Sequence, residues 1–565
     1  MKFKFLILFI SVSGGAAIMA QTTPVGPSKY WIQFNDRAQS PYSITQPEQF
    51  LSPKALERRV KQSIDISEND LPVNPNYVSE IAQPGVKILN QSKWFNAITI
   101  QVDDTNLLAS IRALASVKNV NKVARIKVKS TADQLMEDLT RLMEQAKVAQ
   151  SKQKSGLPGS GIGYGTADLQ IAMINGKPLH ELGYRGQGMV IAVLDGGFYH
   201  VDEIAFFDSL RNAGRILGTR DFVVGDNAVY EDNSHGLMVL STMAANIPGS
   251  FVGTAPLASY WLLRTEDVDS EFLIEEDNWV RGAEFADSVG ADVINSSLGY
   301  TKFDDPATSH TYEELNGKTT RITIGASIAA SKGILVVNSA GNSGDDPWHF
   351  IGVPADADSV LSIGAVKPSR AYASFSSVGP TSDNRIKPNV AALGQESKVI
   401  LSSGDPGTAN GTSFSSPIIA GMSACLMQAH PKASAMQVFK AIEQSADQFE
   451  NPDEKKGFGI PDYLKAHQIL ALSELKGSVQ DSIVNVYPNP FIEGLTIEFY
   501  STSTQEINIE IHKMSGKRVA SEKLTVYPLV NNMIQLDHVR KLSAGLYTVT
   551  IEASGKAFTR KVLKN

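Results

Sequence analysis

The alternation of apolar and polar positions changes character several times along the chain, and each change marks a unit. Lys2 and Lys4 precede an apolar stretch, Phe5 to Val12, which gives way to the small residues Gly14, Gly15, Ala16, Ala17 and Ala20. That order reads as a secretory signal peptide over residues 1–20. The run is shorter than the ~20 residues a membrane span needs, and no later segment is long and apolar enough to predict one. From Gln21 onward, Tyr30 to Phe34 predicts a strand, Pro53 to Gln62 a charged helix, Ala97 to Val102 a strand, Thr105 to Ala115 a helix, and Val120 to Val128 a strand with alternating basic residues. Together these make a small α+β module. Leu135, Leu139, Leu142, Met143 and Ala146 then fall along one helical face ending near Lys152. Ser155 to Gly165 is rich in glycine and serine, a composition that resists order and invites proteolysis.

Between about Tyr164 and Leu472, short apolar runs alternate with stretches of helical character: Val190 to Leu194, Tyr260 to Leu263, Val293 and Ile294, Ile334 to Val337, and Val360 to Val366. Runs without polar alternation suit strands buried on both faces, so the expected class is α/β, a central, mostly parallel sheet flanked by helices. Ligands in such sheets gather at the carboxyl ends of strands, so the residues just beyond each run are the candidates for chemistry. In the tail, Leu495 to Phe499, Ile507 to Ile511, Met533 to Leu536, Leu546 to Ile551 and Phe558 to Leu563 are short strands spaced by turns such as Ser515-Gly516 and Ser554-Gly555, which predicts an all-β sandwich. The expected units are 1–20, 21–155, 156–472, a polar linker over 473–482, and 483–565.

The 565-residue length agrees with several cores rather than one. A net charge of -7 provides no basic face for a phosphate backbone, so nucleic acid is not an expected partner. The single cysteine, Cys425, excludes an internal disulfide, and its place in the apolar run Ile418 to Met427 predicts a small buried hydrophobe rather than a reactive thiol.

Four strand-end or helix-start segments carry candidate chemistry, each with an ordinary explanation beside it. Val190 to Leu194 stops at Asp195-Gly196-Gly197, a rigidly placed carboxylate or simply a turn. His235-Gly236 opens the helical stretch Leu237 to Ala245, which turns an imidazole to a cleft or leaves it structural. Ile334 to Val337 leads to Asn338-Ser339-Ala340-Gly341-Asn342, an amide donor at a strand end or a turn residue. Gly411-Thr412-Ser413-Phe414-Ser415-Ser416-Pro417 runs into Ile418 to Met427, so Ser413 is either a cap or a hydroxyl at the positive end of a helix, with Pro417 expected in the first turn.

Jointly, Val193-Leu194-Asp195-Gly196-Gly197, His235-Gly236, Ser339-Ala340-Gly341-Asn342 and Gly411-Thr412-Ser413 resemble the four blocks of the subtilisin-like serine peptidases, in that family's Asp, His, Ser order. Gly253-Thr254-Ala255-Pro256 resembles the segment after the histidine helix, and Ser297-Leu298-Gly299 the loop that pairs with substrate. The resemblance implies a secreted endopeptidase acting on polypeptides, with Ser413 as nucleophile, His235 as base, Asp195 orienting it and Asn342 holding the oxyanion. Ser297, Leu298 and Gly299 would bind substrate, and no cofactor is required for catalysis. Gly196 stands where a Ser or Thr hydroxyl is common, and Leu237 and Ser241 replace the usual threonine and glycine.

The module before the central block resembles the family's inhibitory propeptide, which implies an intramolecular inhibitor removed between Lys129 and Tyr164. The tail, with Tyr487-Pro488-Asn489-Pro490, Gly516-Lys517, Gly545-Leu546-Tyr547 and a basic end through Lys564, resembles type IX secretion sorting domains of Bacteroidetes. It implies transport through the periplasm by the type IX machinery to the medium or the cell surface, with no membrane span in the mature protein. Asp267-Val268-Asp269-Ser270-Glu271 offers alternating oxygens for a structural calcium ion, against the competing reading of a solvated acidic face. Two rival functions are a catalytically silent surface adhesin on the same scaffold and a metal-dependent hydrolase using His235, His349 and nearby carboxylates.

Overall fold

The computed structural model describes residues 28–125, 162–231, 233–475, 482–501, 505–526, 531–536 and 538–565. The expected signal peptide, the helical face from Leu135 to Ala146 and most of the glycine- and serine-rich stretch lie outside the described residues.

The N-terminal module runs β1 (Ser28–Phe34), α1 (Pro53–Gln62), α2 (Pro75–Ile81), β2 (Val86–Ser92), β3 (Ala97–Val102), α3 (Leu107–Arg112) and β4 (Val117–Arg125). Its antiparallel sheet has the order β2-β3-β1-β4. Alternation decides its two faces: Tyr30, Ile32, Phe34, Ile98, Ile100 and Val102 meet Ile81, Leu108 and Ile111 under the helices, while Trp31, Ala97 and Val123 face Phe272 and Ile274 of the next unit. Ser52 starts α1 by accepting the Ala55 amide, with Pro53 at the first helical position. Strand β2 and helix α2 were not among the predicted elements.

The central unit contains β5 (Val190–Asp195), β6 (Ile216–Asp221), α4 (His235–Ala244), β7 (Ser259–Arg264), α5 (Ile274–Val289), β8 (Val293–Ser296), α6 (Arg321–Ser331), β9 (Leu335–Ser339), β10 (Val360–Val366), β11 (Val390–Leu393) and α7 (Thr412–Ala429). The strands form a seven-stranded sheet ordered β11-β10-β9-β8-β5-β7-β6, and every described pairing in it is parallel. Ile191 and Val193 face α4 and α7, whereas Val190, Ala192 and Leu194 face α5 and α6. The sheet is thus covered on both sides, as its unbroken apolar runs require. Strands β6 and β11 add to the five predicted runs.

The N-terminal module docks on α5 and α6 through a buried charge cluster as well as the apolar contacts of its Trp31 face and Trp94. Asp287, fully buried, meets Arg58 at 2.6 Å, Arg59 at 2.9 Å and Lys93 at 2.8 Å. Asp70 pairs with Arg59 at 2.6 Å and with Lys332 at 3.0 Å. Glu284 accepts the amides of Lys93 and Trp94, each at 3.0 Å. Burial alone would push the Asp287 carboxyl up, but the charges of Lys93, Arg58 and Arg59 hold it well below the usual carboxylate range.

After a helix over Tyr463–Leu475, the tail folds as two antiparallel sheets with a shared core. One joins Ser482–Tyr487 (β12), Leu495–Tyr500 (β13) and Asn531–Leu536 (β16); the other joins Arg518–Val526 (β15), Gln505–Lys513 (β14), Gly545–Ala553 (β17) and Lys556–Lys564 (β18). Ile497, Phe499, Ile509, Ile511, Val549 and Ile551 fill the space between them, the sandwich that the turn spacing predicts, with β12 and β15 as additional strands. No helix among the described residues is long and apolar enough to cross a membrane.

Candidate active site

The carboxyl ends of β5, β8 and β9 and the amino ends of α4 and α7 open on one cleft of about 570 Å³. Asp195, His235, Glu266, Ser297, Asn342 and Ser413 are among the residues that line it. Residues taken from distant segments therefore share one space, and none of the lining belongs to residues 28–125.

Asp195 is fully buried, and its Oδ1 lies 2.8 Å from His235 Nδ1. A carboxylate only accepts, so Nδ1 carries the proton and Nε2 is left as the acceptor. Asn233 Oδ1 takes the His235 amide at 2.7 Å, satisfying a first-turn donor of α4. Burial would lower the His235 pKa, but the charge and hydrogen bond of Asp195, with the charge of Glu266, raise it. The amide of Gly196 bonds Asp195 Oδ1 at 2.8 Å, while Oδ2 has no hydrogen-bond partner among the described residues. Ser241, another of the departures, is accommodated, since its hydroxyl donates to Met238 O and accepts the Ile400 amide.

Asn342 is fixed by its oxygen, which accepts both the amide (2.9 Å) and the hydroxyl (3.0 Å) of Thr412. The NH2 group is the part left for the cleft. Ser413 sits one residue inside α7, next to Thr412, so its N–H is one of the unpaired donors at the positive helix end. Its hydroxyl does not point along the His235 line; it donates to Ser297 O at 3.4 Å. The expectation for Pro417 is corrected. Helix α7 begins at Thr412, which places Pro417 inside the helix rather than in its first turn.

Glu266, absent from the residues that sequence motifs single out, lies just beyond the β7 run and faces the same cleft. Tyr300 donates to its Oε2 at 2.5 Å. Burial first, with Asp195 nearby, pushes its carboxyl up to about 7. Behind it, burial and neighbouring carboxylates push Glu271 up to about 8 and Glu275 up to about 11. The carboxylates that converge, with oxygens within 4.8 Å, are Glu266, Glu271 and Glu275. The alternating set that suggests calcium does not converge: Asp267 bonds the Ser270 hydroxyl at 2.8 Å instead. Calcium takes roughly six to eight oxygens, yet Glu275 already accepts the amides of Asp267 and Phe272, and Glu266 the Tyr300 hydroxyl. The donor set fits shared protons better than a calcium cage. His349 does not join His235; its Nδ1 contacts Gly344 O at 2.7 Å, outside the cleft lining.

Three family descriptions match successive parts of the chain. The description "Subtilase family" matches residues 186–459, "Peptidase S8 propeptide domain, Bacteroidota" residues 29–137, and "Secretion system C-terminal sorting domain" residues 485–565. The chain is 33% identical over 280 residues to Subtilisin NAT of Bacillus subtilis subsp. natto, covering 49% of this chain and 65% of that protein. It is 31% identical over 280 residues to the Subtilisin of Bacillus pumilus, covering 49% of this chain and 90% of that protein. A crystal structure of MycP1 with its N-terminal propeptide removed aligns at a TM-score of 0.41 and 22% identity, over 53% of this chain and 96% of that one. With nine-tenths of a subtilisin's length matched at that identity, the chain belongs to the subtilase family.

Proposed function

We propose that the protein is a secreted serine endopeptidase made as an inhibited precursor. The observation that carries this reading is the 2.8 Å Asp195–His235 pair opening on the cleft that also holds Ser413 and the anchored Asn342 amide. Catalysis begins with rotation of the Ser413 hydroxyl from Ser297 O towards His235 Nε2, a tightening common between free and substrate-bound sites. Ser413 Oγ then attacks the scissile carbonyl while His235 takes its proton and later delivers it to the leaving amine; Asp195 stabilises the imidazolium. The oxyanion is met by the Ser413 N–H and the Asn342 NH2, both in place before charge develops. Ser297, Leu298 and Gly299 give the substrate a backbone edge to pair with, which favours extended polypeptide.

Residues 21–155 act as an intramolecular inhibitor that is removed, residues 156–472 as the peptidase, 473–482 as a linker, and 483–565 as the substrate of the type IX secretion machinery, which takes the protein through the periplasm to the medium or cell surface. Labelling with a fluorophosphonate tests the chemistry: the wild type reacts at Ser413 and Ser413→Ala does not. Chelator-sensitive peptide cleavage without labelling supports a metal enzyme instead, and neither labelling nor cleavage supports the silent adhesin. Sequencing the mature N-terminus tests the processing, which a secreted chain still starting at Gln21 refutes.

A further inference from the structure

In an α-helix the carbonyl of residue i accepts the amide of residue i+4. Pro417 stands four residues after Ser413 and has no amide, so the backbone carbonyl of Ser413 loses its helical donor. A buried carbonyl left alone is costly, and this one is not alone: Ser297 Oγ donates to Ser413 O at 2.9 Å. The same hydroxyl accepts from Asn295 Nδ2 at 3.3 Å, and Asn295 Oδ1 accepts from Ser416 Oγ at 3.1 Å, which closes a loop between the end of β8 and the first turns of α7. Asn295 and Ser416 are fully buried, and Ser297 is 5% exposed.

We infer that the Ser297 side chain is a positioning residue for Ser413, supplying the hydrogen bond that Pro417 removes and so fixing the turn that carries both the nucleophile and its N–H oxyanion donor. The inference rests on the reading of Ser413 as nucleophile. It assigns to the Ser297 hydroxyl a task separate from any pairing of the Ser297 backbone with substrate. The geometry also implies a specific rescue: an alanine at position 417 restores the amide, which gives the Ser413 carbonyl an intrahelical donor and makes the Ser297 hydroxyl dispensable.

The test is the rate of fluorophosphonate labelling at Ser413 in the secreted protein, normalised to the processed fraction by mass, with kcat and KM on a peptide. Ser297→Ala is expected to lower the labelling rate and kcat about tenfold, the worth of one neutral hydrogen bond, with KM little changed. Ser297→Thr, which keeps the hydroxyl, and the double variant Ser297→Ala/Pro417→Ala are both expected to return to within about twofold of wild type. Wild-type labelling in Ser297→Ala, or a double variant no faster than Ser297→Ala, overturns the inference. Should Ser297→Ala fail to fold, the double variant decides: folding with near-wild-type labelling supports the inference, and slow labelling or failure to fold overturns it. Absence of labelling in the wild type itself is a different failure, that of Ser413 as nucleophile.

Discussion

Replacing Asp287 by asparagine tests the docking of the N-terminal module most directly. The carboxylate is fully buried and serves three cations that are themselves nearly so, with side-chain exposures of 3% for Arg58, 1% for Arg59 and 8% for Lys93. Solvent therefore screens little, and removing one partner of such a cluster costs about 3–5 kcal/mol. The lower end applies. Arg59 keeps Asp70 at 2.6 Å, Arg58 keeps the carbonyl of Lys332 at 3.0 Å, and an asparagine oxygen still accepts one hydrogen bond. A loss of about 3 kcal/mol raises the undocked fraction roughly 100-fold. Hydrogen exchange monitored by mass spectrometry on full-length Ser413→Ala protein, which lacks the proposed nucleophile, reads this directly. Peptides spanning β2 and β3, whose hairpin amides at Lys93 and Trp94 bond Glu284, are expected to exchange about 100-fold faster, while β9 and β10 are unchanged. The docked pKa of Asp287 is depressed, so its contribution is complete above the ordinary carboxylate value of about 3.9 and is lost only as pH falls through the depressed value. The effect is therefore constant between pH 5 and 8. An acceleration below about fivefold, or an equal one in β9 and β10, refutes the reasoning.

Other consequences are local to the cleft. Asn342→Ala is expected to keep KM and lose about two to three orders of magnitude in kcat, and an unchanged kcat removes Asn342 from the mechanism. Burial favours neutral His235, but Asp195 and then Glu266 raise its pKa; since the neutral ring is the base, activity is lost as pH falls through that raised value. Glu266→Gln is then expected to move the acid limb of kcat/KM to lower pH, and a limb that stays put or moves up sinks the assignment. At Gly236 an added Cβ falls 2.3 Å from the Gly197 carbonyl, so Gly236→Ala must shift the turn that carries His235. A stability loss of about 1–3 kcal/mol in urea unfolding, with slowed labelling, is expected, and an unaffected variant contradicts that packing.

The chemistry is legible because it sits at the ends of elements whose signal is local. Apolar runs ending in Asp195, Ser339 and the segment at Ser297 are read directly from sequence, and the same rule applied after Tyr260 to Leu263 reaches Glu266 two residues beyond Arg264. What sequence hides is of two kinds. Strand β6, Ile-Leu-Gly-Thr-Arg-Asp, is a partly exposed edge strand with mixed polarity, and β11 is only four residues long, so neither leaves a periodic trace. The docking cluster is invisible for another reason: Arg58 and Arg59 read as ordinary charges on a charged helix, and their partner lies 229 and 228 positions away. The start of α7 differs from expectation because a proline normally marks a first turn. Here the Ser297 hydroxyl supplies the hydrogen bond that the proline removes.

The same contrast explains why the docking surface is built from charge. Glu275, Glu276, Asp277, Glu284 and Asp287 are all buried on α5, a cost that hydrogen bonds and ion pairs must offset. Under the docked module those closest to it are met by Arg58, Arg59, Lys93 and backbone amides. Were the module removed as proposed, water would take over the same duty at the surface it uncovers. An apolar interface of equal strength would expose a sticky patch on the released enzyme, whereas carboxylates return to solvent at little cost. Ion pairs of this kind suit the proposed removal of the module, and they act beside the apolar contacts of Trp31 and Val123 with Phe272 and Ile274 and of Trp94 with the core under α5.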